Sequence, residues 1–201
     1  MHVILDYDVG NLQSVKQGFD RAGIDTVISK DPELIKKAYS LILPGVGAFK
    51  DAMEALKESG LIPLILDHVK SKKYLFGICL GMQLLYERSY ENGDFEGLAL
   101  LKGTIDYLNV DLKVPHMGWN DLSFYKENHP LLKYIQKGDY VYFVHSYYVN
   151  GDYKDLVAYT NYGLKVPAIV QKDNIIATQF HPEKSGQVGL NILRAYKEIL
   201  I

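Results

Sequence analysis

The chain has 201 residues, of which 48% are hydrophobic and 23% charged, and its formal net charge at pH 7 is −2. Such a length and composition are typical of a soluble globular domain with a substantial core. Because the 22 basic residues are balanced in number by 24 acidic ones, the net charge gives no reason to expect a nucleic-acid-binding protein. The densest basic run, Lys70–Lys73, is interpreted as a solvated helix end.

The sequence also carries a prediction about the compartment in which the protein works. No apolar run approaches the roughly 20 residues of a membrane span. The N-terminus lacks the basic start and small-residue cleavage site of a signal peptide. A single cysteine cannot form an internal disulfide, which suits a reducing environment. We therefore expect a cytoplasmic protein.

Strand and helix patterns alternate through the first half of the chain. We predict strands at 2–6, 24–29, 40–45 and 74–78. We predict helices at 12–23, 49–59 and 62–71, and a further helix that begins just after Cys79. Asn11 is a candidate N-cap of the first helix, and Gly23 lies at its end. This alternation indicates an α/β fold with a central parallel sheet.

Beyond Gly97 the pattern changes to short strands with few helical segments. The segments concerned are 103–110, 117–124, 139–149, 155–160, 167–171 and 175–180. They predict antiparallel additions to a mostly parallel sheet. The final segment, 189–201, has apolar residues at helical spacing, so we expect the chain to close with a helix. No linker or repeat divides the sequence, which predicts one domain over residues 1–201.

The only cysteine lies in a Gly-x-Cys-x-Gly motif formed by Gly77, Cys79 and Gly81, where a strand turns into a helix. This is the context of a nucleophile elbow, in which the glycines let strand and helix crowd around a strained nucleophile. The N–H groups at the helix start favour a thiolate, and the N–H of Leu80 can donate to an oxyanion. The alternative is a lone buried cysteine that packs as a small hydrophobe.

A cysteine nucleophile needs a base, and the sequence offers six histidines. His181 follows a strand and precedes a proline, so it favours extended geometry and can point to the same side as Glu183. A carboxylate beside an imidazole fixes its tautomer and stabilises the imidazolium. His145 is the second candidate base, although no Pro-Glu pair follows it. His2, His68 and His129 are interpreted as structural.

A glycine-rich loop, Leu43–Phe49, follows the third predicted strand. It lacks the lysine and the spacing of a P-loop. At the carboxyl end of a neighbouring strand, its backbone N–H groups can approach Cys79 and complete an oxyanion hole. The sequence has no CxxC pair, no HExxH motif and no histidine cluster at ligand spacing, so we expect neither a metal nor a cofactor.

The segments "GICLGMQ" and "QFHPEKS" together resemble the class I (triad) glutamine amidotransferases, which have a three-layer, flavodoxin-like α/β fold. Members hydrolyse glutamine to glutamate and deliver ammonia to a partner active site. The blocks "DYDVGNLQSV", "LPGVGAF", "PHMGWN" and "YFVHSYY" are similar to those of the glutaminase subunits of imidazole glycerol phosphate synthase, from histidine biosynthesis. The blocks fall in the right order and span nearly the whole chain.

The resemblance implies a role for particular residues. It makes Cys79 the nucleophile, His181 the base and acid, and Glu183 the group that orients His181. It places the oxyanion against the N–H of Leu80 and of Val46 or Gly47. It assigns glutamine binding to Gln83, Ser146 and Tyr147, and the partner interface to Asn11, Met117, Trp119 and Lys184. In the family, the peptide of the glycine-rich loop is misoriented until the partner binds its substrate.

By the same resemblance, the chain acts as a heterodimer with a cyclase subunit that is a (β/α)₈ barrel and binds the nucleotide substrate. Trp119, the only tryptophan, is then an interface anchor, whereas the alternative is a core aromatic in a strand. The chain departs from the family at Asp8, where glycine is usual. Aspartate tolerates left-handed geometry better than most residues, so we expect the turn to form.

Three other functions compete with this interpretation. One is an amidotransferase for anthranilate, aminodeoxychorismate or pyridoxal phosphate synthesis, against which "PHMGWN" and "HPEKS" argue. Another is a γ-glutamyl peptidase, which needs no partner. The last is a catalytically idle binding subunit, against which the intact Cys79, His181 and Glu183 argue.

Overall fold

The computed structural model of the protein describes residues 1–200. The strands, β1 to β14, span His2–Leu5, Thr26–Ser29, Ser40–Leu43, Tyr74–Ile78, Arg88–Ser89, Phe95–Glu96, Thr104–Tyr107, His116–Asp121, Ser123–Phe124, Tyr140–His145, Tyr147–Asn150, Leu156–Asn161, Lys165–Lys172 and Ile175–Thr178. The α-helices, α1 to α6, span Leu12–Arg21, Pro32–Lys37, Phe49–Glu58, Ile62–Lys70, Leu80–Gln83 and Gly186–Ile199, and 3₁₀ turns cover Pro130–Leu132 and Pro182–Lys184. Within residues 1–200, no helix combines the length and the apolar character needed to cross a membrane.

The central sheet has eight strands in the order β2-β1-β3-β4-β14-β13-β12-β9. The strands from β2 to β14 in this order run parallel, and β13, β12 and β9 continue the sheet antiparallel. There are two smaller sheets. One pairs β10 with β8, antiparallel. The other has four strands in the order β11-β7-β5-β6 and is antiparallel except for the parallel pair of β5 and β7. The predicted α/β fold, mostly parallel with antiparallel additions in the second half, is confirmed.

Helices cover both faces of the sheet because alternate strand residues point to opposite sides. In β1, Val3 and Leu5 pack into one hydrophobic cluster with α2, α3 and α4. Ile4 points the other way, into a second cluster with α1 and α6. Both faces are therefore buried, which explains why the parallel strands are continuous apolar runs. The result is the three-layer arrangement that was expected.

The helix after Cys79 is much shorter than the pattern "LGMQLLYE" suggests. It ends at Gln83, and the next backbone carbonyls turn to other partners. The carbonyl of Leu84 accepts from the N–H of Leu98, and that of Leu85 accepts from the N–H groups of Leu100 and Leu101. The backbone N–H groups of residues 98–101 thus occupy the carbonyls that would otherwise have accepted the next hydrogen bonds of the helix. The dipole contribution expected from a long helix is reduced to one turn.

Other differences are local. Helix α2 was not predicted, although Asp31 caps it by accepting from the N–H of Glu33 at 2.8 Å and Pro32 opens it. The two-residue strands β5 and β6 were also missed, since they are too short for a periodic pattern. At Asp8, φ is +63°, so aspartate does adopt the left-handed turn that was expected of it.

The two glycines of the Gly-x-Cys-x-Gly motif are needed because backbone segments approach each other there. A Cβ atom on Gly77 would lie 3.0 Å from the carbonyl oxygen of Gly81. A Cβ atom on Gly81 would collide with the carbonyl oxygen of Leu43 at the end of β3. One on Gly45, in the next loop, would lie 2.8 Å from the amide nitrogen of Gly81. Helix α5 therefore lies directly against the ends of β3 and β4, which fixes the turn that carries Cys79.

We predict that Gly81→Ala lowers the free energy of unfolding by about 3 kcal/mol, because overpacking against a backbone cannot be relieved by a rotamer change. Gly60→Ala is the matched control. Unlike Gly81, Gly60 has positive φ, at +71°, and no atom lies within 4 Å of its missing Cβ. It should cost only the roughly 1 kcal/mol of left-handed geometry. Urea unfolding of both variants provides the measurement, and equal losses would contradict the packing argument.

Candidate active site

Cys79 occupies a strained position at the carboxyl end of β4. Its backbone has φ +53° and ψ −111°, which is rare for a residue other than glycine. Its N–H donates to the carbonyl of Thr178 at 2.7 Å, so the turn is tied to β14 as well as to β3. Strain of this kind typically costs about 1–3 kcal/mol and persists only where the surroundings enforce it. A cysteine held this way differs from one that merely fills a core.

Cys79 opens onto a cavity of about 370 Å³ at the carboxyl ends of the parallel strands. The side of an α/β sheet where parallel strands end is where such folds bind ligands. The lining residues are Val46, Gly47, Cys79, Leu80, Gln83, Glu91, Pro115, Val144, His145, Ser146, Tyr147 and His181. The structure therefore brings to one cavity all the residues that the sequence suggested for the oxyanion and for substrate binding, together with Cys79 and His181.

His181 and Glu183 form a buried ion pair beside the cysteine. His181 Nδ1 lies 2.8 Å from Glu183 Oε1, and their side chains are only 5% and 2% exposed. Burial alone would lower the pKa of His181. Hydrogen bonds to Cys79 and Glu183, together with their negative charges, outweigh burial and raise the pKa of His181 to about 9. Glu183 is thus hydrogen-bonded to His181, and His181 lines the same cavity as Cys79.

The glycine-rich loop after β3 is held by a side-chain hydrogen bond from Tyr7. The buried hydroxyl of Tyr7 donates to the carbonyl of Pro44. Gly47 has φ +88°, a conformation in which its N–H and carbonyl are oriented as other residues rarely allow. The N–H of Leu80 is the first of a helical turn, a position without an intrahelical acceptor. Backbone donors from the glycine-rich loop and from the start of α5 therefore border the same cavity as Cys79.

His145, the second candidate base, has both ring nitrogens engaged elsewhere. Its Nδ1 lies 2.8 Å from the carbonyl oxygen of Tyr147, and its Nε2 lies 2.9 Å from His116 Nδ1. Burial lowers the pKa of His145 to about 3 and that of His116 to about 4. The side-chain amide of Asn120 lies 3.2 Å from His116 Nε2. A neutral chain from Asn120 through both rings to the Tyr147 carbonyl satisfies these groups, so His145 is a structural rather than a basic group.

Two glutamines connect the Tyr147 carbonyl to the sulfur of Cys79. Gln83 Nε2 donates to the carbonyl of Tyr147 at 3.0 Å and to Gln179 Oε1 at 2.9 Å. Gln179 Nε2 lies 3.8 Å from Cys79 Sγ. Gln179 stands in the segment "QFHPEKS", but no sequence pattern assigned it a role. Its one signal was a polar residue directly after a buried strand.

Glu91 is a second residue that the sequence analysis missed. Its Oε2 accepts from the N–H of Phe49 at the start of α3, at 2.8 Å, and the side chain lines the cavity. Glu91 lies between the two-residue strands β5 and β6, where the sequence has no motif or periodic pattern. Only the folded chain brings this carboxylate to the site.

The four residues assigned to a partner interface lie on the surface. Met117 and Trp119, on β8, are 61% and 55% exposed, so the interpretation of Trp119 as a core aromatic is wrong. The Trp119 ring lies 3.8 Å from the position of a Cβ on Gly186, two residues after the exposed Lys184. Asn11 is exposed as well, and its side chain caps α1 by accepting from the N–H of Ser14 at 3.2 Å.

Comparison with known proteins gives concordant results. The family model "Glutamine amidotransferase class-I" matches residues 3–195. A protein of Caldanaerobacter subterraneus named imidazole glycerol phosphate synthase subunit HisH is 50% identical over 198 residues, which cover 98% of this chain and 97% of that protein. Proteins of the same name from Oceanobacillus iheyensis and Bacillus subtilis are 48% and 49% identical, covering 100% and 98% of this chain and 100% and 95% of theirs.

Solved structures agree at the level of the fold. A crystal structure of a glutamine amidotransferase superimposes with a TM-score of 0.76 at 20% identity, over 98% of this chain and 97% of that one. A PurLQS structure from Thermotoga maritima gives 0.73 at 16% identity, over 100% and 98%. The chain therefore belongs to the class I glutamine amidotransferase family, among the HisH subunits of imidazole glycerol phosphate synthase.

Proposed function

We propose that the chain hydrolyses glutamine to glutamate and ammonia through Cys79, His181 and Glu183, and supplies the ammonia to a cyclase subunit for histidine biosynthesis. The observation that carries the proposal is the buried His181–Glu183 pair, which shares with Cys79 a cavity bordered by backbone N–H donors. The names of the relatives support the pathway.

The first half of the reaction uses the charge pair beside the cavity. The Cys79 thiolate attacks the side-chain amide carbon of glutamine, and the carbonyl oxygen becomes an oxyanion. The N–H of Leu80, with that of Val46 or Gly47, stabilises this charge, and one such donor is typically worth about 10²–10³ in rate. The His181 imidazolium then protonates the departing nitrogen. Ammonia leaves and a thioester remains.

The second half reverses the role of His181. Neutral His181 removes a proton from water, and the resulting hydroxide attacks the thioester carbonyl. Collapse of this second intermediate breaks the C–S bond, releases glutamate and restores the thiolate–imidazolium pair. Glu183, whose Oε1 accepts from His181 Nδ1, keeps the other ring nitrogen directed at the reacting atoms.

Polar groups in the cavity fit the two ends of a free amino acid. The carboxylate of Glu91 suits the α-ammonium group of glutamine. Both N–H bonds of the Gln83 amide are used within the protein, which leaves its Oε1 as an acceptor for substrate. Ser146 and Tyr147 line the same cavity as Cys79.

The acceptor of ammonia lies outside this chain. Amidotransferase motifs are distributed over nearly its whole length, which supports one glutaminase domain over residues 1–201. Relatives that match end to end are named as subunits of a synthase, which supports a cytoplasmic heterodimer of this chain with a cyclase subunit that is expected to be a (β/α)₈ barrel. The exposed Met117 and Trp119 provide an apolar anchor, and the family resemblance assigns the exposed Lys184 and Asn11 to the same face.

We predict that the purified chain releases glutamate slowly alone and much faster with the cyclase subunit and its nucleotide ligand. Cys79→Ala should lower the rate about 10³-fold or more in every mixture, because the nucleophile is lost. Cys79→Ser, which keeps the shape of the turn, should lose most of the rate as well. Fast hydrolysis without a partner would favour a γ-glutamyl hydrolase, and silence in every mixture would favour an idle subunit.

We predict that kcat/KM for glutamine falls as pH rises through about 9, because the His181 imidazolium that protonates the departing nitrogen is then lost. Glu183→Gln removes one of the groups that raise the pKa of His181. The alkaline limb should therefore move to lower pH, and the rate should fall about 10²–10⁴-fold. Glu58→Gln, at the exposed end of α3, is the control. An alkaline limb unmoved in Glu183→Gln would contradict the assignment.

We predict that Trp119→Ala weakens binding of the cyclase subunit about 30-fold, as expected for an aromatic interface anchor. Tyr39→Ala is the matched control, since Tyr39 is 70% exposed and precedes β3 at the opposite end of the sheet. Isothermal titration calorimetry measures both affinities. Equal affinities of Trp119→Ala and the unmodified chain would exclude the proposed anchor.

A further inference from the structure

We propose that Gln179 is a further catalytic residue, whose side-chain N–H stabilises the negative charge on Cys79 Sγ while Gln83 holds its amide in that orientation. The inference rests on the proposed role of Cys79 as nucleophile. It adds a donor to the sulfur itself, distinct from the backbone donors proposed for the oxyanion.

The position of Gln179 makes it more than a packing residue. It follows β14 directly and is 0% exposed, so its amide has no access to water. A buried amide without partners would cost free energy comparable to a lost hydrogen bond, and its partners therefore define its role. Within residues 1–200, its side-chain hydrogen bonds are to Gln83 and Cys79, with Nε2 3.8 Å from Sγ.

The orientation of the Gln179 amide follows from the bonds of Gln83. Gln83 Nε2 donates one N–H to the carbonyl of Tyr147 and the other to Gln179 Oε1. The Tyr147 carbonyl cannot donate, so the Gln83 nitrogen must face it. If the Gln179 amide were rotated by 180°, two NH₂ groups would oppose each other in a dry environment. The nitrogen of Gln179 is therefore directed at the sulfur.

The environment of Sγ distinguishes the thiol from the thiolate. Sγ lies 3.8 Å from the carbonyl oxygen of Val144, which can accept the thiol proton. Once that proton is gone, this carbonyl no longer has a donor, and the N–H of Gln179 gains strength because its acceptor is charged. Gln179 thus favours the reactive form. It acts again when the C–S bond of the thioester breaks, because the electron pair returns to the sulfur.

Other titratable groups also face this region and define the background of any measurement. They are His181 and Glu183 from the turn after β14, His145 from β10, Tyr7 from the loop after β1, and Glu91 from the loop between β5 and β6. None of them is a side-chain hydrogen-bond partner of Gln179 within residues 1–200. A change at Gln179 therefore alters the donor to sulfur while leaving the other charges in place.

The test is the pH dependence of Cys79 alkylation by iodoacetamide in the full chain, followed by mass spectrometry. Gln179→Met keeps the length of the side chain but has no N–H. We expect the alkylation midpoint to move to higher pH by about one unit, with about tenfold slower alkylation below it. Glutaminase kcat should fall about tenfold, with little change in KM. Gln179→Leu is the second variant if Gln179→Met does not fold, and the same shift is expected.

Thr178→Val is the matched control. Thr178 is equally buried in the neighbouring position, and its hydroxyl donates to the carbonyl of Phe180 at 3.0 Å rather than to the sulfur. It should lose stability without moving the alkylation profile.

An unchanged alkylation profile in the Gln179 variants would overturn the proposal. If it were accompanied by a higher KM, Gln179 would be shown to act only by holding Gln83. Failure of the unmodified chain to hydrolyse glutamine would instead refute the proposed function, and the alkylation result would still stand by itself.

Discussion

The contact between α5 and the end of β3 is the constraint on which the site depends. Because Gly81 has no side chain, the helical turn lies directly against the Leu43 carbonyl, and the chain between β4 and α5 has no room to relax. Cys79 is therefore held with positive φ at the mouth of the cavity. The same contact places the glycine-rich loop beside the start of α5, so Cys79 and the backbone N–H donors share one rigid corner. The proposed reactivity of Cys79 therefore depends first on backbone packing and only then on the side chains around it.

Near Cys79, the surroundings shift the pKa values of three histidines in opposite directions. His181 gains a thiol and a carboxylate as partners, and its pKa rises to about 9 in spite of burial. His116 and His145 gain only neutral partners, and burial lowers their pKa values to about 4 and 3. Charge is thus concentrated on one imidazole. The other two serve as fixed hydrogen-bonding groups that hold the Tyr147 carbonyl, which Gln83 also contacts.

Much of this arrangement could be predicted because it is determined by local patterns in the sequence. The alternation of apolar runs and helices predicted the parallel sheet, and the glycines around Cys79 predicted its strained turn. Glu91 and Gln179 could not be found that way, since each reaches the site through contacts with distant parts of the chain, Phe49 and Cys79 respectively. The shortness of α5 was hidden for the same reason, because its carbonyls are captured by residues 98–101, beyond any local window.

The solitary cysteine has a consequence for oxidative chemistry. Cys79 is 7% exposed, at the wall of a cavity that admits small molecules, and these 201 residues contain no second thiol. A sulfenic acid formed on its sulfur has no internal resolving cysteine with which to make a disulfide. Recovery from peroxide therefore depends on an external thiol small enough to enter the cavity, and without one the oxidation proceeds to the irreversible sulfinic acid. Glutamine bound in the cavity would stand between the sulfur and the oxidant.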